Sequence, residues 1–212
     1  MAKKRSAKWR AWNKGLVLGQ KDAFTPDQVK RIRRMLARRG DDGLRDLALF
    51  SVAIDTMLQG PELLNLAVKD VLQSDGKVRT VIEVARRRRK PAVRCVLSKA
   101  SANALRKWIT MSGKKRTDYV FSGRRHRVSR PMIARQLSRL LTLWASEVGL
   151  DPKKYGIVSL RRTKAFHIFN GTGDLEAVRV LLGHSKLEST ARYLLRMPKR
   201  SDPIAISKAY NI

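Results

Sequence analysis

Two segments towards the end of the chain carry side chains suited to phosphoryl transfer. VSLRRTKAFHIF, residues 158–169, holds Arg161, Arg162 and His167, and LLGHSKLESTARYL, residues 181–194, holds His184 and Tyr193. A phosphodiester can be broken without a metal when three kinds of group converge on it. A nucleophile attacks phosphorus, cations neutralise the charge that develops on the phosphoryl oxygens, and an acid protonates the leaving 5′ oxygen. A tyrosine hydroxyl can act as that nucleophile, conserving the bond energy in a 3′-phosphotyrosyl link. Arginine is the better cation, because its planar fork grips two oxygens at once. Arg161, His184 and Tyr193 could supply part of such a set. By themselves these residues leave three readings open: an active site that cuts DNA, a relic of one, or a basic helical surface. His167 lies six residues after Arg161 on the same predicted helix and reads as structural.

The bulk of the chain favours a polyanionic partner. Its 212 residues carry 47 Lys and Arg against 17 Asp and Glu, a formal net charge of +30. Nucleic acid is the first candidate. An anionic membrane surface is the weaker one, since no stretch approaches the roughly 20 apolar residues of a membrane helix. At 43% hydrophobic residues the chain can bury a core. The start, MAKKRSAKWR, leads into no apolar run of the kind a signal peptide needs. The single Cys95 allows no internal disulfide and fits the cytoplasm, where a basic protein would associate with the nucleoid. Cys95 sits in VRCVLS, a strand-like run, as a small buried hydrophobe. No Cys/His spacing suggests zinc, and no metal or cofactor is implied.

The elements that must position these groups are legible in outline. Residues 1–22 read as a flexible basic arm, with Trp9 and Trp12 able to stack on bases or pack back on the domain. TPDQVKRIRRMLARRG opens the ordered part: Thr25 caps, Pro26 takes the first helical position and Gln28 completes a capping box. Val29, Ile32 and Leu36 form its apolar face, and Gly40 ends it. LRDLALFSVAIDTML predicts a buried helix over about 43–58, and PELLNLAVKDV a short helix opened by Pro61. VRTVIEVA and AVRCVL are β-branched runs either side of RRRRK-P, a hairpin whose turn repels itself unless a phosphate relieves it. DYVF, residues 118–121, adds a third short strand. Helices are expected at 99–112, along Ile133–Val148 with Trp144 in the core, and at 159–171, 174–182 and 187–195. The basic loop RRHRVSR carries His126, which reads as a phosphate neighbour. The fold class is α+β, mainly helical, with residues 23–196 as one domain and 197–212 as a tail.

LLGHSKLESTARYL resembles the C-terminal signature of the tyrosine recombinases, the phage integrase family, in which LLGH closes one helix and the tyrosine follows a short helix later. SLRRTKA, ALFSVAIDTMLQGPELLNLAVKDV, RRRRKPAVRCVLS, FTPDQV and DYVFSGRR match the family's other segments in the same order, from about residue 23 to 196. The resemblance implies a catalytic-domain fold with a small antiparallel three-stranded sheet, in the short form that lacks a separate core-binding domain. It implies Tyr193 as nucleophile, Arg161 as the second active-site arginine on the scissile phosphate, and His184 as donor to a nonbridging oxygen. Double-stranded DNA is the implied partner, gripped in a C-shaped clamp. Its DNA-facing residues would be Arg86, Arg88, Arg89 and Lys90 of the hairpin, Arg124, Arg125, Arg127 and Arg130 of the loop, and Arg162. Copies would self-associate on DNA as dimers or tetramers, or pair with a related recombinase subunit.

Three positions depart from the family's pattern. Gln59 stands where the first catalytic arginine belongs, Val158 replaces a histidine, and Arg87 or a neighbour replaces the lysine that protonates the leaving oxygen. Glutamine brings no charge, valine accepts no proton, and arginine donates one poorly. Each preorganised donor lost costs roughly 3–4 kcal/mol, and a lost general acid or base costs about 10²–10⁴ in rate. Two functions are therefore expected to compete: site-specific recombination or mobile-element integration, and DNA binding without cleavage in an accessory or regulatory role. A basic RNA-binding protein would account for the charge but not for the LLGH-to-tyrosine spacing. The charge predicts steeply salt-dependent duplex binding. For about 6–10 phosphate contacts, affinity measured by titration should fall roughly 10³–10⁵-fold between 50 and 200 mM salt. A nearly flat salt response would contradict it.

Overall fold

The computed structural model describes residues 21–85, 92–123 and 130–194. The basic arm up to residue 20 with Trp9 and Trp12, the hairpin turn Arg86–Lys90, the loop residues 124–129 and the tail 197–212 lie outside them. The first helix, α1 (Pro26–Ala37), starts on the expected capping box, with Thr25 Oγ1 accepting from Gln28 N–H and Gln28 Oε1 accepting from Thr25 N–H at 2.9 Å. It buries Val29, Ile32 and Leu36. The second, α2 (Asp41–Thr56), is buried over most of its length, as its apolar run requires, and packs against α1. It runs two residues earlier at each end than its hydrophobic run predicts, because Asp41 and Asp42 occupy the first turn, where carboxylates favour the positive end of the helix.

The predicted helix PELLNLAVKDV breaks in two: α3 (Gly60–Leu64) and α4 (Val68–Val71). Between them Ala67 pairs in an antiparallel bridge with Tyr119. Leu66 O accepts from Val120 N–H at 2.8 Å, and Val68 N–H donates to Asp118 O at 2.9 Å. Inter-segment hydrogen bonds thus replace the helical ones that would have joined α3 to α4. The same pairing corrects the predicted third strand. Residues 118–121 bend and bridge only once, Tyr119 to Ala67, while neighbouring Ser122 bridges to Pro131. Trp108 Nε1–H takes the Val120 carbonyl at 2.8 Å. The sheet is therefore two-stranded: β1 (Val81–Val84) antiparallel to β2 (Val93–Val96), with Ile82 opposite Cys95. Cys95 is buried and its thiol lies 3.3 Å from Thr56 O.

Three further long helices complete the frame. These are α5 (Lys99–Ser112), α6 (Ala134–Glu147) and α7 (Ile157–Thr172), with a 3-10 turn at Pro152–Lys154 before α7. Two short helices close the described chain, α8 (Leu175–Leu182) and α9 (Leu187–Leu194). The central α2 packs against both α5 and α7. Trp144 is fully buried, edge-on to Phe50 at 5.8 Å, and its Nε1–H donates to Asp46 Oδ2 at 3.3 Å. Phe24 stacks on Tyr155 at 4.3 Å and so fastens the start of the domain to the turn before α7. A second, smaller core of Met57, Ala165, Val178, Leu182 and Leu194 joins the end of α2 to α7, α8 and α9. Lys21 and Asp22, the last two residues of the expected arm, are bonded to the fold. Asp22 N–H donates to Lys154 O at 2.7 Å and Lys21 Nζ to Lys153 O at 2.6 Å, so both residues belong with the fold.

Truncating Trp144 to Ala should cost about 3–5 kcal/mol of unfolding free energy, since it empties a large buried site. The exposed Val96→Ala should stay within about 0.5 kcal/mol. Denaturant titration of both variants checks the contrast, and equal losses would misplace the core.

Candidate active site

Five of the six positions expected to carry chemistry meet in one cleft. A cavity of about 380 Å³ is lined by Leu58, Gln59, Gly60, Pro61, Ile157, Val158, Arg161, His184 and Tyr193. They arrive from four places: the turn after α2, the first turns of α7, the turn after α8, and α9. Arg87, the sixth, lies outside the described residues, as do Arg86, Arg88, Arg89, Lys90, Arg124, Arg125 and Arg127. Arg130 is exposed, beside the bridged Pro131. His167 is half-buried on α7 and does not line the cleft.

Arg161 forms the floor. Its guanidinium is buried and donates to Met57 O and to Leu182 O, each at 2.6 Å. Met57 is left-handed, with φ 52°, and is the one non-glycine with positive φ among the described residues. That conformation costs on the order of 1–2 kcal/mol. It ends α2, turns the Met57 carbonyl towards the cation and sends Leu58 and Gln59 into the cleft wall. Gln59 then occupies the N-cap of α3 with extended backbone, and its N–H donates to Glu62 Oε2 at 2.8 Å.

Gly183 closes α8 in the left-handed region, and His184 N–H returns to Arg179 O at 3.0 Å. This delivers the His184 ring to the cleft. Its Nδ1 meets Thr190 Oγ1 at 3.0 Å, and when Thr190 donates, the ring proton sits on Nε2. Thr190 was not among the expected site residues. Its signal in the sequence is a hydroxyl on the buried face of α9, in register with Ala191 and Leu194. The carbonyls of Met57 and Leu182, which hold Arg161, have no side-chain signal.

Tyr193 packs edge-on to His184 at 5.6 Å. Its hydroxyl points to the Val158 carbonyl at 3.4 Å, a long hydrogen bond to a group that cannot take its proton. The Val158 side chain is 50% exposed and presents only methyl groups. Burial pushes the Tyr193 phenol above its ordinary value, while the nearby Arg161 and Arg162 cations pull the other way. Arg162 is not where a DNA contact would be. It is buried, its fork donates to the Tyr193 carbonyl, and NH1 donates to Lys21 O at 2.5 Å. It follows Arg161 on a helix buried on several sides over its first turns, so the two guanidiniums diverge, one to the cleft floor and one behind α9.

The sequence model of the phage integrase family matches residues 22–199. The chain belongs to the phage integrase family. Among curated relatives it is 27% identical over 169 residues to the tyrosine recombinase XerC of Pelobacter propionicus, covering 79% of this chain and 53% of that protein. The chain spans about half the length of the curated relatives it matches. The crystal structure of XerA recombinase superposes with a TM-score of 0.69 at 21% identity, covering 91% of this chain and 65% of that one. The Tn1549 transposon integrase in complex with transposon right end DNA gives a TM-score of 0.65 at 18% identity, covering 82% and 62%. These likenesses establish the tyrosine recombinase fold, mainly helical with a small antiparallel sheet.

Because the folded state favours the protonated phenol, Tyr193 should ionise above 10.0, its ordinary value. The stability linked to that group is complete below the ordinary value and is lost as pH rises through the folded one. A difference ultraviolet titration, native minus Tyr193→Phe, should show the midpoint on the alkaline side. A midpoint at or below the ordinary value contradicts the burial.

Proposed function

We propose that this chain binds duplex DNA and acts in site-specific recombination, of the kind that integrates a mobile element, through a covalent bond to Tyr193. The observation that carries the reading is the convergence of Tyr193, Arg161 and His184 on one cleft. Tyr193 Oη attacks the scissile phosphorus, the bond to the 5′ oxygen breaks, and the 5′ end leaves as a hydroxyl. Arg161 and His184 stabilise the nonbridging oxygens. The two carbonyls that hold Arg161 fix its fork before substrate arrives, which is what electrostatic catalysis requires. The DNA complex of the Tn1549 integrase and the net charge of +30 both support a duplex partner. Assembly as dimers or tetramers on DNA, or with a related subunit, and a cytoplasmic place at the nucleoid belong to the same proposal.

A second reading is favoured by what else lines the cleft. Gln59 and Val158 bring neither a cation nor a proton acceptor to it. Tyr193 must then lose its proton to water or to the departing oxygen, and cleavage is slowed by several powers of ten. In the limit, the protein holds DNA through the same surface and acts as an accessory or regulatory subunit. Members of one catalytic unit do not add independently, so the size of the loss is a matter for measurement.

A covalent trap separates the two. Native protein is mixed with nicked duplexes tiled across the DNA flanking its own gene, and a denaturing gel is read for a protease-sensitive adduct. The expected result is a slow adduct that Tyr193→Phe abolishes, accelerated when Gln59→Arg, Val158→His and Arg87→Lys are combined. An adduct from the combined variant alone establishes the binding-only reading. An adduct that persists in Tyr193→Phe removes this residue as nucleophile.

A further inference from the structure

Arg162 was expected on the DNA-facing surface, yet only 3% of it is exposed. Its guanidinium makes an unusual junction. Nε donates to the Tyr193 carbonyl at 2.9 Å, and NH2 reaches the same oxygen. NH1 donates to the carbonyl of Lys21 at 2.5 Å. The Tyr193 ring lies over the same cation, 5.2 Å from ring centroid to guanidinium carbon. Tyr193 O belongs to α9 and accepts two donors from this one fork. One planar group thus grips the tyrosine from its backbone and from its ring.

The other end of the junction is equally built. Phe24 N–H donates to the buried Thr163 Oγ1 at 3.0 Å, one residue beyond Arg162 on α7. Asp22 N–H and Lys21 Nζ are bonded to the carbonyls of Lys154 and Lys153. Residues 21–24 are therefore seated along α7 and the turn before it.

We propose that Arg162 is a positioning residue, which sets the place of Tyr193 in the cleft and links that place to the segment at residues 21–24. This role rests on Tyr193 as nucleophile. Lysine could hold one of the two carbonyls as a point charge but lacks the fork to span both.

The test uses full-length protein with native Arg162, Arg162→Gln or Arg162→Lys. Duplex affinity, single-turnover adduct rate on nicked duplexes and amide exchange are measured for each. In parallel preparations 3-fluorotyrosine is placed at position 193 and its fluorine resonance recorded. Misplacing a reacting group by an ångström can cost about 100-fold, so Arg162→Gln should slow adduct formation roughly 10- to 100-fold with duplex affinity unchanged. Arg162→Lys should recover part of the rate. Exchange should rise together at residues 21–24 and 190–194, and the fluorine resonance should move, least in Arg162→Lys. An unchanged rate, or a rate that falls in step with duplex affinity as a surface phosphate contact would give, overturns the proposal. So does exchange that rises at one segment and not the other. If native protein forms no adduct, the cleavage reading fails separately, and the resonance decides: identical positions in native and Arg162→Gln protein overturn the positioning role. If Arg162→Gln does not fold, Arg162→Lys alone is compared with native. A reduced rate or a displaced resonance at unchanged affinity supports the role, and native values in both overturn it.

Discussion

A buried guanidinium holds the C-terminal ends of two helices to the start of a third, and the cleft exists because it does. Arg161, in the second turn of α7, takes one carbonyl from the end of α2 and one from the end of α8. An unpaired charge in such a place would cost several kcal/mol. Here the cation meets the negative ends of two helix dipoles and two carbonyls that lack intrahelical donors. The strained turn at Met57 is the other side of this bargain, since it turns a carbonyl to the cation at the cost of a left-handed backbone. With α2 and α8 fixed in this way, Gln59 and His184 have little choice of position.

This arrangement separates residues that hold the cleft from residues that would only do chemistry in it. Arg161, Thr190 and Arg162 are buried and bonded to backbone or to one another's neighbours, so removing any of them disturbs packing as well as reactivity. Gln59 and Val158 stand at the rim, exposed to solvent. Their side chains can change with little structural penalty. Gln59 and Val158, the two described positions that the sequence resemblance marks as departures from the family's pattern, lie where the fold demands least.

Much of this was legible before the fold was known, and the reasons are local. The Thr25–Gln28 box, the apolar stripe of α1 and the buried run of α2 are decided by neighbours within one or two turns. The run at 118–121 has the local propensity of a strand, which a bend with a single bridge shares. Its partners, Ala67 and the Ser122–Pro131 bridge, are distant choices. The break between α3 and α4 has the same origin, since nothing in PELLNLAVKDV forbids a continuous helix until Tyr119 and Asp118 compete for its backbone. Arg162 is the clearest miss. In a chain with 47 basic residues, an arginine beside a phosphate ligand reads as another DNA contact. Only the packing of α9 and of residues 21–24 against α7 turns it inward.

The amino-acid sequence alone determined which kinds of group are available and in what order: an arginine two helices before the tyrosine, a glycine-histidine turn one short helix before it, and a large excess of positive charge. It also determined that Gln59 and Val158 could not supply a cation or a base. Side-chain chemistry is a property of the residue, and capping and periodicity act over a few residues, so both survive without a fold. The tertiary structure alone decided that these groups share one cleft, that Met57 and Leu182 hold Arg161 through their carbonyls, and that Arg162 serves the tyrosine's backbone. Those facts rest on contacts between segments up to 141 residues apart. They depend on burial and backbone direction, which no local pattern encodes.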